Sequence, residues 1–242
     1  DRALHRLKHI TIGGDRCKPN LVRTILQRLP SVKPYITYGL SEAGPRVSTL
    51  PPELFGVFPA SVGFPLPGVE VSVVDNSGRA CGRGQTGEIA IRTPSVMKGY
   101  FRDEERTAKR LHEGWCFSGD LGVFDQQGLL YLQGRKDREF KFRGRKVSPE
   151  SIERILYSHP LVQDVRIVKV ETEEGDSLRA FLKARAPSQQ ALAAELKRIC
   201  RRQLPAYLVP AEFEFYGQDV YHFKGKPGNQ IRNGSVASHY EP

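Results

Sequence analysis

Apolar positions along the first 50 residues change period twice. Leu7-Lys8-His9-Ile10-Thr11-Ile12 alternates as a strand does and ends in Gly13-Gly14-Asp15. Leu21, Val22, Ile25, Leu26 and Leu29 then recur at helical spacing before Pro30, and Tyr35-Ile36-Thr37-Tyr38 is a second strand. Strand, helix and strand within about 40 residues predict two parallel strands joined by a right-handed crossover, which puts both strand ends on one sheet edge. That edge carries Gly13-Gly14-Asp15 and Tyr38-Gly39-Leu40-Ser41-Glu42. Ligands of open α/β sheets lie in the crevice outside the carboxyl ends of the strands. Each loop alone reads as a turn that needs glycine; the two together, with a hydroxyl and a carboxylate, mark a candidate site.

From Pro51 to Gly134 the texture becomes β-rich, barrel-like or layered. Glycine and proline punctuate short alternating runs at Val69 to Val74, Glu88 to Arg92 and Gly128 to Leu132, with turns at Asp75-Asn76-Ser77-Gly78 and Asp125 to Gly128. One short helix is expected from Asp103 to Leu111. Beyond the stretch Gly134 to Glu153 the pattern predicts a helix from Pro149 to Tyr157, with Ser148 as its cap and Pro149 at its first position. Strands follow at Val162 to Val170 and Leu178 to Ala184, then a helix from Ser188 to Gln203 and a strand at Phe213 to Phe215. These elements make a second α+β unit of about 105 residues, an ordinary domain size. The expected division is 1–134, a joint at 135–137 and a small unit at 138–242.

Composition narrows the picture. The chain has 242 residues, 39% hydrophobic, with a formal net charge of +10. It carries neither a run of 18 apolar residues nor a basic-then-apolar leader, so a membrane span and a secretion signal are not expected. Cys17, Cys81, Cys116 and Cys200 are far apart with no histidine at metal spacing, which suggests thiols in a reducing cytoplasm. The chain begins at Asp1 and its single methionine is Met97, which suggests a fragment with its natural start upstream. The basic residues are dispersed except between Gly134 and Glu153, where seven Lys/Arg face four Asp/Glu. A charge run is most often a solvated face, and the functional alternative is a surface for an anion.

Six motifs then occur in series: Tyr38 to Glu42; Gly87 to Arg92 running on to Lys98-Gly99-Tyr100-Phe101; Trp115-Cys116-Phe117-Ser118-Gly119-Asp120; Gly134-Arg135-Lys136-Asp137 with Lys141-Phe142-Arg143-Gly144; Leu204 to Pro210; and Gly225-Lys226. In this order they resemble the adenylate-forming superfamily of acyl-CoA synthetases, aryl-CoA ligases, luciferases and the adenylation domains of nonribosomal peptide synthetases. The resemblance implies the later part of a large α/β and β-rich domain followed by a small mobile α+β domain. It also implies ATP-dependent conversion of a carboxylic acid to an acyl-adenylate, then transfer to the thiol of coenzyme A or of a carrier protein's phosphopantetheine.

Residue by residue, the resemblance makes Glu42 a carboxylate that helps hold Mg²⁺, and Ser41 a hydroxyl for the α-phosphate where the family usually has threonine. Gly13, Gly14, Asp15 and Tyr38 match positions that flank the adenine, and Gly39 and Leu40 are further nucleotide-binding positions; Asp120 matches the acceptor of both ribose hydroxyls, and Arg135 would add a ribose or phosphate contact. Lys226 matches the catalytic lysine, with a rival register that puts Asn229 there. Asp137 matches the hinge; Lys141 and Lys146 would face the nucleotide, and Arg143 and Gly144 the thiol arm. Ser151 departs from the usual glutamate. Ser41 to Pro45 and Ser148-Pro149 resemble stand-alone acid ligases more than peptide-synthetase modules.

The family's phosphate loop, Thr-Ser-Gly-Ser-Thr-Gly-x-Pro-Lys, does not occur in these residues, so they supply only part of an ATP grip. Two other readings remain open at this level: a catalytically silent AMP-binding or regulatory domain of the same fold, and a basic nucleic-acid binder whose affinity falls steeply with salt. Nucleic acid is not the expected partner.

Overall fold

The computed structural model describes residues 6–14, 19–172, 175–216 and 231–232. They fall into two compact units, Asp1–Lys136 and Asp137–Pro242.

In the first unit, β1 (His9–Ile12), α1 (Pro19–Arg28) and β2 (Lys33–Leu40) form the parallel crossover, with Ile12 opposite Ile36. β2 then continues past the expected end at Tyr38. It turns through Ser41 to Ala43 into β3 (Gly44–Leu50), which pairs antiparallel with it and then with β4 (Phe64–Pro65) after α2 (Pro52–Phe55). Tyr38, Gly39 and Leu40 are therefore strand residues, and only Ser41 and Glu42 of that motif lie in a turn. β3 has no regular alternation to announce it, because Ser48 and the core residues Val47 and Leu50 are buried together.

The second sheet of this unit is antiparallel. β5 (Glu70–Val74) pairs with β6 (Gly87–Arg92), and β6 pairs with the long β8 (Trp115–Phe124). β7 (Leu111–His112) and β9 (Leu130–Arg135) also pair with β8. α3 (Glu104–Arg110) starts at Asp103, whose carboxylate accepts the Arg106 N–H at 2.9 Å, and carries Glu at its start and Lys/Arg at its end, as the helix dipole favours.

The two sheets are joined at Ser61-Val62-Gly63. Ser61 Oγ donates to the Leu130 carbonyl at 2.8 Å, the Val62 N–H donates to the same carbonyl at 2.9 Å, the Leu130 N–H donates to the Gly63 carbonyl at 2.9 Å, and Ser48 Oγ donates to the Val62 carbonyl at 2.9 Å. All three seam partners Ser48, Ser61 and Leu130 are buried. A Cβ on Gly63 would lie 1.9 Å from the Thr49 carbonyl oxygen, and its φ of +82° is a left-handed value. No other residue fits there.

In the second unit the charged stretch folds. β10 (Phe140–Phe142) and β11 (Arg145–Val147) form a hairpin closed by Arg143 and Gly144, with φ of 47° and 77°. Two positive φ values in a two-residue loop are the type I′ turn, so glycine at 144 is set by the turn itself. Phe142 and Val147 anchor the hairpin in the core with α4 (Pro149–Tyr157) and α5 (Gln189–Gln203), whose Ile152, Leu156, Leu192 and Leu196 are buried. Each such side chain contributes about 1.5–3 kcal/mol by leaving water. β12 (Val162–Thr172) and β13 (Gly175–Ala184) are antiparallel, β14 (Glu212–Phe215) adds parallel to β13 and β15 (Ile231–Arg232) parallel to β12, giving the order β14-β13-β12-β15. α4 begins at Pro149 as expected, but the Ser148 hydroxyl makes no cap bond; it donates to Glu150 Oε2 at 2.8 Å. Proline already supplies the helical φ and lacks one of the amides a cap would serve.

Trp115, the only tryptophan, lies on β8 and its fluorescence follows the first unit. Urea unfolding read this way should show Gly63→Ala destabilised by on the order of 3 kcal/mol or more, from strain plus backbone overlap. Gly68→Ala, also at positive φ but with nothing within 4 Å, should lose only about 1 kcal/mol. Equal losses would mean that the seam at Gly63 can relax.

Candidate functional site

Asp120 is the centre of the first unit's polar cluster. It sits within β8, opposite Arg135 of β9, not in a hairpin turn. Ser118 fixes the strand here, donating to the Ile89 carbonyl at 2.8 Å and accepting the Asp120 N–H at 3.0 Å. Tyr38 Oη donates to Asp120 Oδ2 at 2.7 Å, and Arg135 Nη1 donates to Oδ1 at 3.1 Å. Burial, and then the Asp120 charge, push the Tyr38 phenol well above its usual range, so it stays a neutral donor. Each carboxylate oxygen keeps a second lone pair, and 17% of the Asp120 side chain is exposed. The carboxylate is thus held from behind with acceptor capacity for two more hydroxyls. Tyr38 itself is only 6% exposed; in this structure its clearest part is to aim Asp120, and little of its ring is open for stacking.

Glu42 stands in the β2–β3 turn. Tyr100 Oη donates to its Oε1 at 2.6 Å, and the Arg106 guanidinium lies over the Tyr100 ring at 4.2 Å. The Tyr100 hydrogen bond holds the Glu42 carboxyl below its usual range against the opposing effect of burial, helped by Arg110 and Arg106. Arg110 Nη1 donates to the Phe117 carbonyl at 2.9 Å and packs against Gly119, so the same cation borders both Glu42 and the segment that carries Asp120. Among the described residues no group of three histidine, cysteine or acidic side chains is placed to hold a metal. An ionised single carboxylate nevertheless fits Mg²⁺, which is usually bound by one or two carboxylates together with substrate phosphates and water.

The other expected residues divide by position. Gly13 lies against Thr37, where a Cβ would meet its Oγ1 at 2.4 Å, and Gly14 has φ +88° in the loop after β1. Gly39 lies equally close to Pro45. Leu40 packs against the core and Ser41 is exposed in the turn. Asp15 and Lys226 lie outside the described residues. In the second unit Lys141 and Lys146 are directly opposite each other on the hairpin and both exposed. Like charges so placed repel, which favours an anion nearby, although Glu139 at 3.1 Å partly offsets Lys146. Arg143 and Gly144 form the exposed hairpin tip, with Arg143 over the Phe142 ring at 5.5 Å. Asp137 is exposed in the short 3-10 turn Lys136–Arg138.

Comparison with known proteins bears on this arrangement. The family model described as AMP-binding enzyme matches residues 1–101, and that of the AMP-binding enzyme C-terminal domain matches residues 151–220. The chain belongs to the adenylate-forming superfamily. It is 34% identical over 209 residues to a long-chain-fatty-acid–CoA ligase of Escherichia coli O157:H7, covering 86% of this chain and 36% of that protein. It is 35% identical over 204 residues to a 2-succinylbenzoate–CoA ligase of Geobacillus kaustophilus, covering 84% and 41%. Among solved structures, an amide bond synthetase from Marinactinospora thermotolerans matches with TM-score 0.80 and 32% identity over 89% of this chain and 46% of that one. The o-succinylbenzoate CoA synthetase of Bacillus subtilis, in complex with its acyl-adenylate intermediate, matches with TM-score 0.74 and 28% identity over 86% and 42%. The chain therefore spans about two fifths of the length of the curated relatives it matches.

For this member of the superfamily, sequence reading named Asp120, Arg135 and Tyr38, which the structure brings together, and Glu42. It missed the side chains that aim them. Tyr100 and Glu88 stood out only as parts of motifs, and Arg106 and Arg110 carried no signal; the bonds Tyr100–Glu42, Arg110–Phe117 and Glu88–Gly119 span 58, 7 and 31 residues to partners that spacing does not reveal.

Tyr100→Phe keeps the ring under Arg106 and removes the hydroxyl on Glu42. At pH 7 it should cost about 1 kcal/mol in urea unfolding, the low end for a bond to a partly exposed charge. The folded pKa of Glu42 lies below its ordinary 4.5, so this stabilisation is complete above pH 4.5 and is lost as pH falls through the depressed value. The gap between Tyr100→Phe and the parent should accordingly shrink from pH 7 to pH 3.5; a constant gap would show that Tyr100 does not act on Glu42 ionisation.

Proposed function

We propose that this chain forms the carboxy-terminal part of an ATP-dependent acid–thiol ligase, which activates a carboxylic acid as its acyl-adenylate and passes the acyl group to a thiol. The observation that carries this reading is the convergence of Tyr38 and Arg135 on Asp120, a carboxylate fixed from behind with one lone pair on each oxygen to spare. Cis-hydroxyls on adjacent carbons, as in a ribose, suit that pair of acceptors.

In this reading Asp120 and Arg135 hold the nucleoside, and Ser41 offers its hydroxyl to the α-phosphate. Carboxylate attack on that phosphate brings two anions together, so cationic groups must stabilise the charge that develops. Arg110, bordering both acidic positions, and Lys226, whose flexible ammonium can arrive with its own unit, serve that end. Glu42 would hold Mg²⁺, which when bound neutralises phosphate charge. The second unit then turns at Asp137, and the basic hairpin of Lys141, Arg143 and Lys146 meets the thiol substrate, with Gly144 adding no side chain to the tip beside Arg143. Coenzyme A is the favoured acceptor, supported by the relatives named as CoA ligases. The basic hairpin also suits the phosphate of a carrier protein's phosphopantetheine.

Titration of the chain with AMP and with 2′,3′-dideoxy-AMP tests the ribose contact directly. The parent should bind AMP at least ~10-fold more tightly than the dideoxy compound, because two hydrogen bonds to a charged acceptor are lost. Asp120→Ala should bind both equally weakly, and an Asp120→Ala that still discriminated would sink the reading.

The two half-reactions separate the remaining roles in the longer enzyme that this reading requires. Lys226→Ala should lower acid-dependent ATP–pyrophosphate exchange by at least ~100-fold. Asp137→Pro, which fixes φ, should spare that exchange and slow thioester formation. If AMP binds but no acid in a broad panel supports exchange, a silent nucleotide-binding domain becomes the better reading.

A further inference from the structure

The residues on either side of Asp137 are gripped by unequal means. Lys136 Nζ lies 2.6 Å from Glu88 Oε2, and its side chain is 42% exposed. The other oxygen of Glu88 accepts the Gly119 N–H at 3.1 Å, one residue before Asp120. Arg138, on the far side, reaches Glu150 Oε1 at 2.7 Å and Glu153 Oε1 at 2.8 Å, carboxylates that are 5% and 6% exposed. Glu153 also accepts the Ile167 N–H at 3.0 Å, which ties the cluster to β12.

We infer that the Lys136–Glu88 pair is a releasable latch on the turn at Asp137, and that Arg138 with Glu150 and Glu153 is a fixed anchor, so that rotation of the backbone is confined to Asp137 and the residue before it. The inference rests on the reading of Asp137 as the turning point. Its physical basis is the cost of separation on each side. Withdrawing Arg138 would leave two buried carboxylates without their cation, which is strongly unfavourable. Withdrawing Lys136 returns a half-exposed ammonium to water and leaves one carboxylate, Glu88, which is 12% exposed and keeps its bond from Gly119; this costs less than uncovering two carboxylates that are 5% and 6% exposed, and the exposed lysine end is open to screening by salt. Lys136, Glu88 and Arg138 are positioning residues in this scheme. They act through the backbone at Asp137. Because Glu88 also holds the peptide next to Asp120, the latch joins the turning point to the strand that carries the proposed ribose carboxylate.

Amide hydrogen exchange of the whole chain, read by mass spectrometry, tests this. Lys136→Gln should speed exchange at residues 136–138 about threefold and leave α4 unchanged, and Lys136→Arg should restore the parent rate. About 0.5 M NaCl should reproduce the Lys136→Gln effect in the parent, as expected if charge and not shape holds the latch. Arg138→Lys, which keeps the charge but loses the fork, should speed exchange across α4 and β12. Parent rates at 136–138 in Lys136→Gln, or an increase spread equally over β8 and α4, would overturn the latch. Parent rates in α4 for Arg138→Lys would overturn the anchor. AMP titration of the parent chain keeps the two levels apart: failure to bind AMP counts against the ligase reading, while the exchange pattern decides the latch by itself.

Discussion

The hydrogen bond from Tyr38 to Asp120 joins two sheets whose chain positions are 82 residues apart, and the candidate site depends on those sheets being held together. The seam at Ser61-Val62-Gly63 does this. It is a short, buried set of hydrogen bonds in which the hydroxyls of Ser48 and Ser61 and the N–H groups of Val62 and Gly63 are all met, built around one glycine whose nearest neighbours are backbone atoms. A buried seam of this kind tolerates no slack, since each unpaired group would carry its desolvation cost. What it gives the site is rigidity: Asp120 is aimed by a tyrosine whose ionisation is opposed by burial and by the Asp120 charge, and by an arginine on the next strand.

Charge in this protein is arranged by depth. Around Glu42 and Asp120 the cations Arg110 and Arg135 are partly buried, Arg106 lies over the Tyr100 ring, and all three are already engaged, so they shape the field without crowding the carboxylates. On the second unit the cations of the β10–β11 hairpin are exposed and face one another, a state that an anionic ligand would relieve. The first arrangement suits a ligand held in one pose, and the second suits one that arrives and leaves.

Between them, the turn at Lys136–Arg138 combines both kinds of charge. A single pair with a half-exposed lysine on one side and a buried cluster of two carboxylates on the other hold adjacent residues unequally, although in the sequence Lys-Asp-Arg is merely three charged residues in a row. The buried cluster also explains why Glu150 and Glu153 are inside at all: α4 presents its apolar side chains and these two carboxylates to the same interior, and Arg138 makes that possible.

The sequence by itself determined the elements with a regular period: the parallel crossover, the α3, α4 and α5 helices, the turns at Asp75 and Asp125, and the ordered motifs that mark the superfamily. Those are local properties, set by repeat spacing, proline and glycine. Only the tertiary structure decided that the strand holding Tyr38 runs on through Gly39 and Leu40, that β3 exists despite its irregular pattern, and that the charged stretch from Phe140 to Val147 is a hairpin anchored by Phe142. It alone showed which side chain aims which carboxylate, as with Tyr100 on Glu42 and Glu88 between Gly119 and Lys136. The physical reason is that these choices rest on contacts between distant segments, where burial and hydrogen-bond satisfaction outweigh local preference and leave no periodic trace in the chain.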